Sequence, residues 1–131
     1  MSENVDALRN GYDAFAREDM EGVMALYADD IEWQGPNAPE LPGAGTHNGK
    51  EEVAAMLGRV AEDWDPFGVT PDEFVDGGDT VVVLGHIEAT AKGTGTNVKA
   101  PFVHVWRMSG GTAQRVQTLT DTAVVLDALN G

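Results

Sequence analysis

Hydrophobic residues recur at helical spacing in the first half of the chain. One predicted helix face collects apolar residues that lie three and four positions apart: Val5, Leu8, Tyr12 and Phe15. Ser2 or Asn4 could cap the start of this helix. The stretch EDMEGVMALYADD predicts a shorter second helix that begins at Asp19 and ends before an extended IEW. KEEVAAMLGRVAEDW has the same amphipathic spacing and predicts a third helix.

The second half of the chain is rich in β-branched residues. Four such segments follow Pro66: GVTPDEFVD, TVVVLGHIEATA, NVKAPFVHVWRM and TAQRVQTLTDT. GGD, KGTGT and SGG separate them, and these are turn signals of hairpin length. The pattern predicts a four-stranded antiparallel meander with helices on one face, which is an α+β fold. Residues 122–129 are a candidate C-terminal helix.

A long irregular segment, GPNAPELPGAGTHNG, separates the second and third predicted helices. Its three prolines and four glycines exclude regular secondary structure. A loop of this length inside a compact domain is more often functional than idle.

Composition limits the possible classes of protein. The 131 residues contain no repeat or linker, so we expect one domain over 1–131. Cysteine is absent, which excludes disulfides and thiolate metal sites. A net charge of −14 would repel a phosphate backbone, so nucleic acid is not an expected partner. With no targeting segment and no membrane span in the sequence, we expect a cytoplasmic protein.

FVHVWRM carries an ionisable side chain in a predicted strand. Alternation places Phe102, His104 and Trp106 on one face and Val103 and Val105 on the other. A histidine between two aromatic residues belongs either to a satisfied core or to a pocket, and the pattern alone leaves both open.

The order of these pieces resembles the NTF2-like superfamily, and within it the SnoaL-like branch related to ketosteroid isomerase. The segments that carry the resemblance are AFAREDMEGVMALYADDIEWQGP, GAGTHNGKEEVAAML, FVHVWRMSGG and DTAVVL. The resemblance implies a cone in which three N-terminal helices pack on a curved antiparallel sheet around an apolar pocket. It also implies a homodimer formed through the outer face of the sheet.

The same resemblance indicates where chemistry is expected. The position of the isomerase base is Gly35, and that of the first-helix oxyanion tyrosine is Gly11, so steroid isomerisation by that mechanism is not expected. The position of the second oxyanion donor is His104. Asp121 matches the acid that follows the last strand in the SnoaL-like branch, and the resemblance makes His104 and Asp121 the candidate catalytic pair.

Strand alternation conflicts with a pocket role for Asp121. The resemblance places Val116, Thr118 and Thr120 on the pocket face, and strict alternation then turns Asp121 outward unless the strand bends. The alternative is that Asp121 caps the helix that follows.

Aromatic residues supply the candidate ligand contacts. Trp33 aligns with a pocket-lining position and could equally plug the core. Phe102 and Trp106 would shape the pocket beside it. Core packing is the default for Tyr12, Phe15 and Tyr27, and pocket lining is the alternative.

No cofactor or metal is expected. The three histidines are far apart in sequence and form no ligand pattern, and no phosphate-binding glycine motif is present. We expect His47 to have a structural role in the loop before the third helix, and His86 to pair with Glu88 on the surface.

Three hypotheses follow. The first is a cofactor-free acid–base enzyme of the isomerase, cyclase or hydrolase type that acts on an apolar ring-bearing substrate. The second is a non-catalytic module that binds such a molecule. The third is a filled pocket in a protein that acts through its dimer face. The superfamily supports all three on one scaffold.

Overall fold

The computed structural model describes residues 2–41 and 43–131. Within them four helices and six strands follow in the order α1 (Glu3–Ala16), α2 (Met20–Leu26), β1 (Tyr27–Gln34), β2 (Thr46–Asn48), α3 (Gly49–Asp63), β3 (Trp64–Gly77), β4 (Thr80–Ala91), β5 (Asn97–Ser109), β6 (Thr112–Thr120) and α4 (Thr122–Asn130). The α+β class is confirmed. No helix in this part of the chain is long and apolar enough to cross a membrane.

One curved sheet contains all six strands in the order β2-β1-β6-β5-β4-β3. The predicted antiparallel meander is confirmed, because β3 to β6 pair consecutively. The sequence pattern did not predict that β1 joins the sheet parallel to β6, with Trp33 opposite Val116. This pairing carries the first half of the chain onto the edge of the meander.

Two helix ends fall earlier than the pattern predicted. The second helix stops at Leu26, and Tyr27 already begins β1. The third helix stops at Asp63, and the buried Trp64 begins β3 four residues before the predicted strand. The second shift has a local cause, because Pro66 cannot continue a helix and disfavours helical backbone at the residue before it.

Side-chain caps begin the first two helices. The Ser2 hydroxyl accepts a hydrogen bond from the Val5 N–H, and the Asp19 carboxylate accepts one from the Gly22 N–H. Gly11 lets α2 approach α1 closely, since a Cβ there would lie 2.7 Å from Leu26 Cδ2. The glycine at this position therefore sets how closely α1 and α2 pack.

The core lies between the helices and the inner face of the sheet. Its largest fully buried members are Val5 and Leu8 on α1, Ile31 on β1, Val53 and Met56 on α3, Val81 and Val83 on β4, and Val116 on β6. A second cluster of Trp64, Ala89, Ala100 and Val125 closes the end of the sheet near α4.

Candidate functional site

An apolar cavity of about 160 Å³ lies on the concave side of the sheet. Side chains from all four helices and from strands β1, β3, β4, β5 and β6 line it. Nearly all of them are aliphatic or aromatic, and no carboxylate is among them. The volume resembles that of an engineered apolar cavity of about 150 Å³ that binds benzene, so one ring can enter.

His104 reaches this cavity from the middle of β5. Burial alternates strictly around it, with Phe102 and Trp106 buried on the same face and Val103 and Val105 half-buried on the other. His104 itself is 9% exposed. Its Nδ1 lies 2.6 Å from the hydroxyl oxygen of Tyr12 on α1, and the Trp106 Nε1–H donates to that same oxygen at 3.1 Å.

The hydrogen-bond inventory assigns the tautomer of His104. Trp106 Nε1 can only donate, so it uses a lone pair of the Tyr12 oxygen. If the Tyr12 O–H then donates to Nδ1, the proton of a neutral imidazole sits on Nε2, and His104 presents this one polar hydrogen to the cavity. The reverse tautomer would leave both the Tyr12 O–H and the Nε2 lone pair unpaired. The first arrangement satisfies more groups, so His104 presents an N–H donor.

Burial sets the charge state of the three ionisable side chains of the cavity. Desolvation lowers the pKa of His104 to about 3, which keeps the imidazole neutral at pH 7. Burial raises the pKa of Tyr12 well above its usual range, and the hydrogen bond from Trp106 opposes this only in part. Burial likewise raises the pKa of Tyr27. The site is therefore uncharged at neutral pH.

Two ionisable side chains of the cavity wall keep a polar atom that no described residue hydrogen-bonds. Within the described part of the chain, no group hydrogen-bonds His104 Nε2 or the Tyr27 hydroxyl, and no unpartnered side-chain nitrogen or oxygen is sealed in the interior. Both residues line the cavity, so these two atoms are accessible from it. A neutral N–H and a phenolic O–H can each donate to a ligand oxygen.

Stacked and edge-on aromatic rings hold this arrangement in place. The Phe102 ring stacks on the His104 imidazole with 4.1 Å between centroids. Tyr27 stacks on Trp106 at 6.2 Å, and Trp33 meets the edge of Trp106 at 6.3 Å. Such contacts fix the orientation of each ring, and they provide flat apolar walls for a ligand.

Comparison with known proteins identifies the family of this chain. The SnoaL-like domain family matches residues 8–116. The chain belongs to the SnoaL-like family. No similar sequence is found among the curated proteins.

Solved structures place this SnoaL-like protein among NTF2-like folds. An NTF2-like protein of unknown function from Burkholderia pseudomallei K96243 is 36% identical over 100% of both chains, with a TM-score of 0.93. TerC, co-crystallised with polyporic acid, is 30% identical over 99% of this chain and 100% of its own, with a TM-score of 0.92. A ketosteroid isomerase-like protein from Catenulispora acidiphila shares the fold at 18% identity, covering 95% of this chain and 92% of its own, with a TM-score of 0.82.

The SnoaL-like cavity contains most of the residues that the sequence nominated. Nine of them line it: Tyr12, Phe15, Tyr27, Trp33, Phe102, His104, Trp106, Thr118 and Thr120. Whether they contact a substrate stays a prediction. Val116 is not among them: it is fully buried in the core, on β6 opposite Trp33 of β1.

The expected His104–Asp121 pair is not formed. Strand β6 ends at Thr120 without the bend that would turn Asp121 inward. Asp121 is exposed, and its carboxylate accepts a hydrogen bond from the Val124 N–H as the N-cap of α4. The partner of His104 is Tyr12, which the helix pattern had favoured for the core.

Sequence reasoning missed the part of the cavity wall that comes from the long loop and from α3. These residues are Pro36, Leu41, Gly43, Met56, Leu57 and Val60. The helical spacing of Met56, Leu57 and Val60 predicted a buried face on α3, but it did not show that part of this face borders a cavity.

The other histidines lie outside the site. His47 Nε2 is 3.0 Å from the Ala44 carbonyl, which holds the loop before α3. His86 pairs with Asp72 on the neighbouring strand at 2.9 Å, and not with the expected Glu88. Across residues 2–41 and 43–131, no three metal-ligating side chains are grouped closely enough to hold an ion.

Proposed function

We propose that this protein binds a small, uncharged, ring-bearing molecule and acts on it as a cofactor-free acid–base enzyme. The observation that carries the proposal is the neutral His104, held by Tyr12, with its Nε2 accessible from an apolar cavity. A fixed donor in a water-poor site stabilises negative charge that develops on a carbonyl oxygen far better than water does. Enolisation of a ring ketone is the reaction class that needs this.

The roles divide between His104 and Tyr27. His104 Nε2–H donates to the ligand oxygen, and the Tyr27 hydroxyl supplies a second donor. Tyr12 keeps the imidazole in the required tautomer through its bond to Nδ1. Nε2 of His104 already carries a proton and the pKa of the imidazole is about 3, so the proton that leaves the ring carbon passes to solvent water while His104 stabilises the enolate oxygen.

A non-catalytic binding module is the second candidate. No carboxylate lines the cavity to remove a proton from carbon, and a histidine with a pKa of about 3 is a weak base. Under this alternative the same contacts hold the ligand and no turnover follows.

Proton exchange with solvent separates the two candidates without knowledge of the natural substrate. We would incubate 3-cyclohexen-1-one with the protein in D₂O and follow both deuterium incorporation and double-bond migration by NMR. The enzyme proposal predicts exchange at least roughly 100-fold faster than in His104→Phe, which keeps a flat ring at this position but has no N–H to stabilise the enolate oxygen. Ring binding with equal exchange in both proteins would favour the binding module.

Polyporic acid is the first compound for a parallel binding screen, because a relative 30% identical to this chain was crystallised with it. A ligand that binds the folded state raises the melting temperature according to its concentration and affinity. No shift with polyporic acid or with any small ring ketone would contradict both candidates.

A further inference from the structure

A polar cleft adjoins the apolar cavity, and we infer that the two form one site for a two-part ligand: an apolar ring joined to an uncharged, hydroxylated group. The cleft, called the vestibule below, has a volume of about 460 Å³ and is lined by residues 34–37, 45–46, 117–120 and 122. The inference rests on the proposed function, because the ring must occupy the cavity.

The vestibule arises where two parallel strands separate. Gln34 and Gln117 are the last paired residues of β1 and β6, and beyond them the chains diverge. Pro36, Thr118 and Thr120 line both the vestibule and the cavity. A ligand whose ring enters the cavity between these walls therefore directs its other end into the vestibule.

The chemistry of the vestibule differs from that of the rest of the surface. Charged residues make up 23% of the chain, yet none is among the eleven that line this cleft. Apart from Pro36 and Leu119, its side chains are amides and hydroxyls. Those without a hydrogen bond in the described part of the chain are Gln34, Asn37, Thr46, Gln117 and Thr122.

Two further hydroxyls are already oriented as acceptors. Thr118 donates to the Gln34 carbonyl at 2.9 Å, and Thr120 donates to the Pro101 carbonyl at 2.8 Å. Each oxygen keeps lone pairs that a ligand hydroxyl can use. Amide and hydroxyl groups with no charge match a sugar-like or polyhydroxylated group, whereas a carboxylate or phosphate would find no cation here.

Three nitrophenyl compounds test this directly. 4-Nitroanisole carries the ring alone, 4-nitrophenyl β-D-glucopyranoside adds an uncharged sugar, and 4-nitrophenyl β-D-glucuronide replaces one CH₂OH by a carboxylate. All three tryptophans of the chain, Trp33, Trp64 and Trp106, line the cavity, so quenching of their fluorescence reports its occupancy. High salt would screen the repulsion between the glucuronide and the net charge of −14.

We expect the glucoside to bind at least tenfold more tightly than 4-nitroanisole and at least tenfold more tightly than the glucuronide. Replacing the exposed Asn37 and Gln117 together by alanine should remove the advantage of the glucoside and leave 4-nitroanisole unchanged. Gln114→Ala, at an exposed position on the same strand outside the vestibule, should change neither.

The outcomes distinguish a failure of the two-part ligand from a failure of the proposed function on which it rests. Binding of 4-nitroanisole with no gain from the sugar, or with an equal gain from the glucuronide, overturns the two-part ligand and leaves the cavity proposal standing. Failure of all three compounds to quench the tryptophans overturns the proposed function, and the two-part ligand with it.

Discussion

His104 and Tyr12 depend on each other for hydrogen bonding inside an apolar interior. They are 92 positions apart, and their contact exists because α1 crosses the concave face of the sheet over β5. Alternation in FVHVWRM placed His104 on the correct face, since Phe102 and Trp106 are buried with it. The Tyr12 partner could not be predicted, because helix periodicity marks a buried side chain without saying which polar atom it meets.

Removing the Tyr12 hydroxyl should destabilise the fold more than removing that of Tyr27. Tyr12→Phe leaves His104 Nδ1 and the Trp106 Nε1–H unpaired, so we expect the free energy of unfolding to fall by about 1–3 kcal/mol. Tyr27→Phe is the matched control, because its hydroxyl faces the cavity, and it should cost less than about 1 kcal/mol. Urea denaturation measures both, and equal losses would contradict the network.

The neutral His104 should make the protein acid-sensitive. Its pKa is about 3 when folded and 6.5 when unfolded, so between these values the unfolded state binds more protons. Stability must therefore fall as the pH drops through this window. From pH 6.5 to 4.5 we expect wild type to lose about 2 kcal/mol relative to His104→Gln. Parallel stability curves for the two proteins would contradict a buried, neutral imidazole.

At the level of elements, the end of β6 decides what Asp121 does. Side chains of a strand alternate between its two faces, so Thr118 and Thr120 point toward the cavity and Asp121 turns outward, where it caps α4. In the sequence, the same alternation conflicted with the family resemblance, which favoured Asp121 as a catalytic acid. The structure follows the alternation.

Substitutions at Asp121 should change stability through the cap alone. Asp121→Ala removes the acceptor for the Val124 N–H and should cost about 1 kcal/mol, whereas Asp121→Asn, also a good cap, should cost little. Both should bind and exchange ring ketones as wild type does. A loss of proton exchange in Asp121→Asn with the melting temperature unchanged would return Asp121 to the site.

The sequence did not predict the pairing between strands that are far apart in the chain. Hairpin turns at GGD, KGTGT and SGG predict β3 to β6 in order, because each strand pairs with its neighbour in the chain. Strand β1 pairs with β6 across about eighty intervening residues, and no turn signal specifies that partner. The vestibule forms where these two strands separate, so it could not be predicted from the sequence.

At the level of the whole molecule, the outer face of the sheet carries two apolar rows. Strand register aligns Val75, Val82 and Val105 in one row and Leu84, Val103 and Leu119 in the next. Val75 and Leu119 are 46% and 48% exposed. An apolar patch of this kind is typical of an interaction surface, so we propose that a second copy of the chain covers it.

A charge in the middle of these rows should dissociate the proposed dimer. Val105→Glu places a carboxylate between the two copies, and we expect sedimentation velocity to change from a dimer to a monomer. Gln114→Glu adds the same charge at an exposed position on β6 and should leave the dimer intact. A wild-type protein that sediments as a monomer at all concentrations would contradict the proposed interface.

The central claim is that His104 is neutral, carries its proton on Nε2 and presents it to the cavity. Long-range ¹H–¹⁵N correlation spectra of the histidine side chains, recorded from pH 8 to pH 5, test it most directly. We expect His104 to show a protonated Nε2 and an unprotonated Nδ1 throughout this range, with Nε2 shifting when a ring ketone is added. A His104 that titrates near its ordinary pKa of 6.5, or one that carries its proton on Nδ1, would contradict the account.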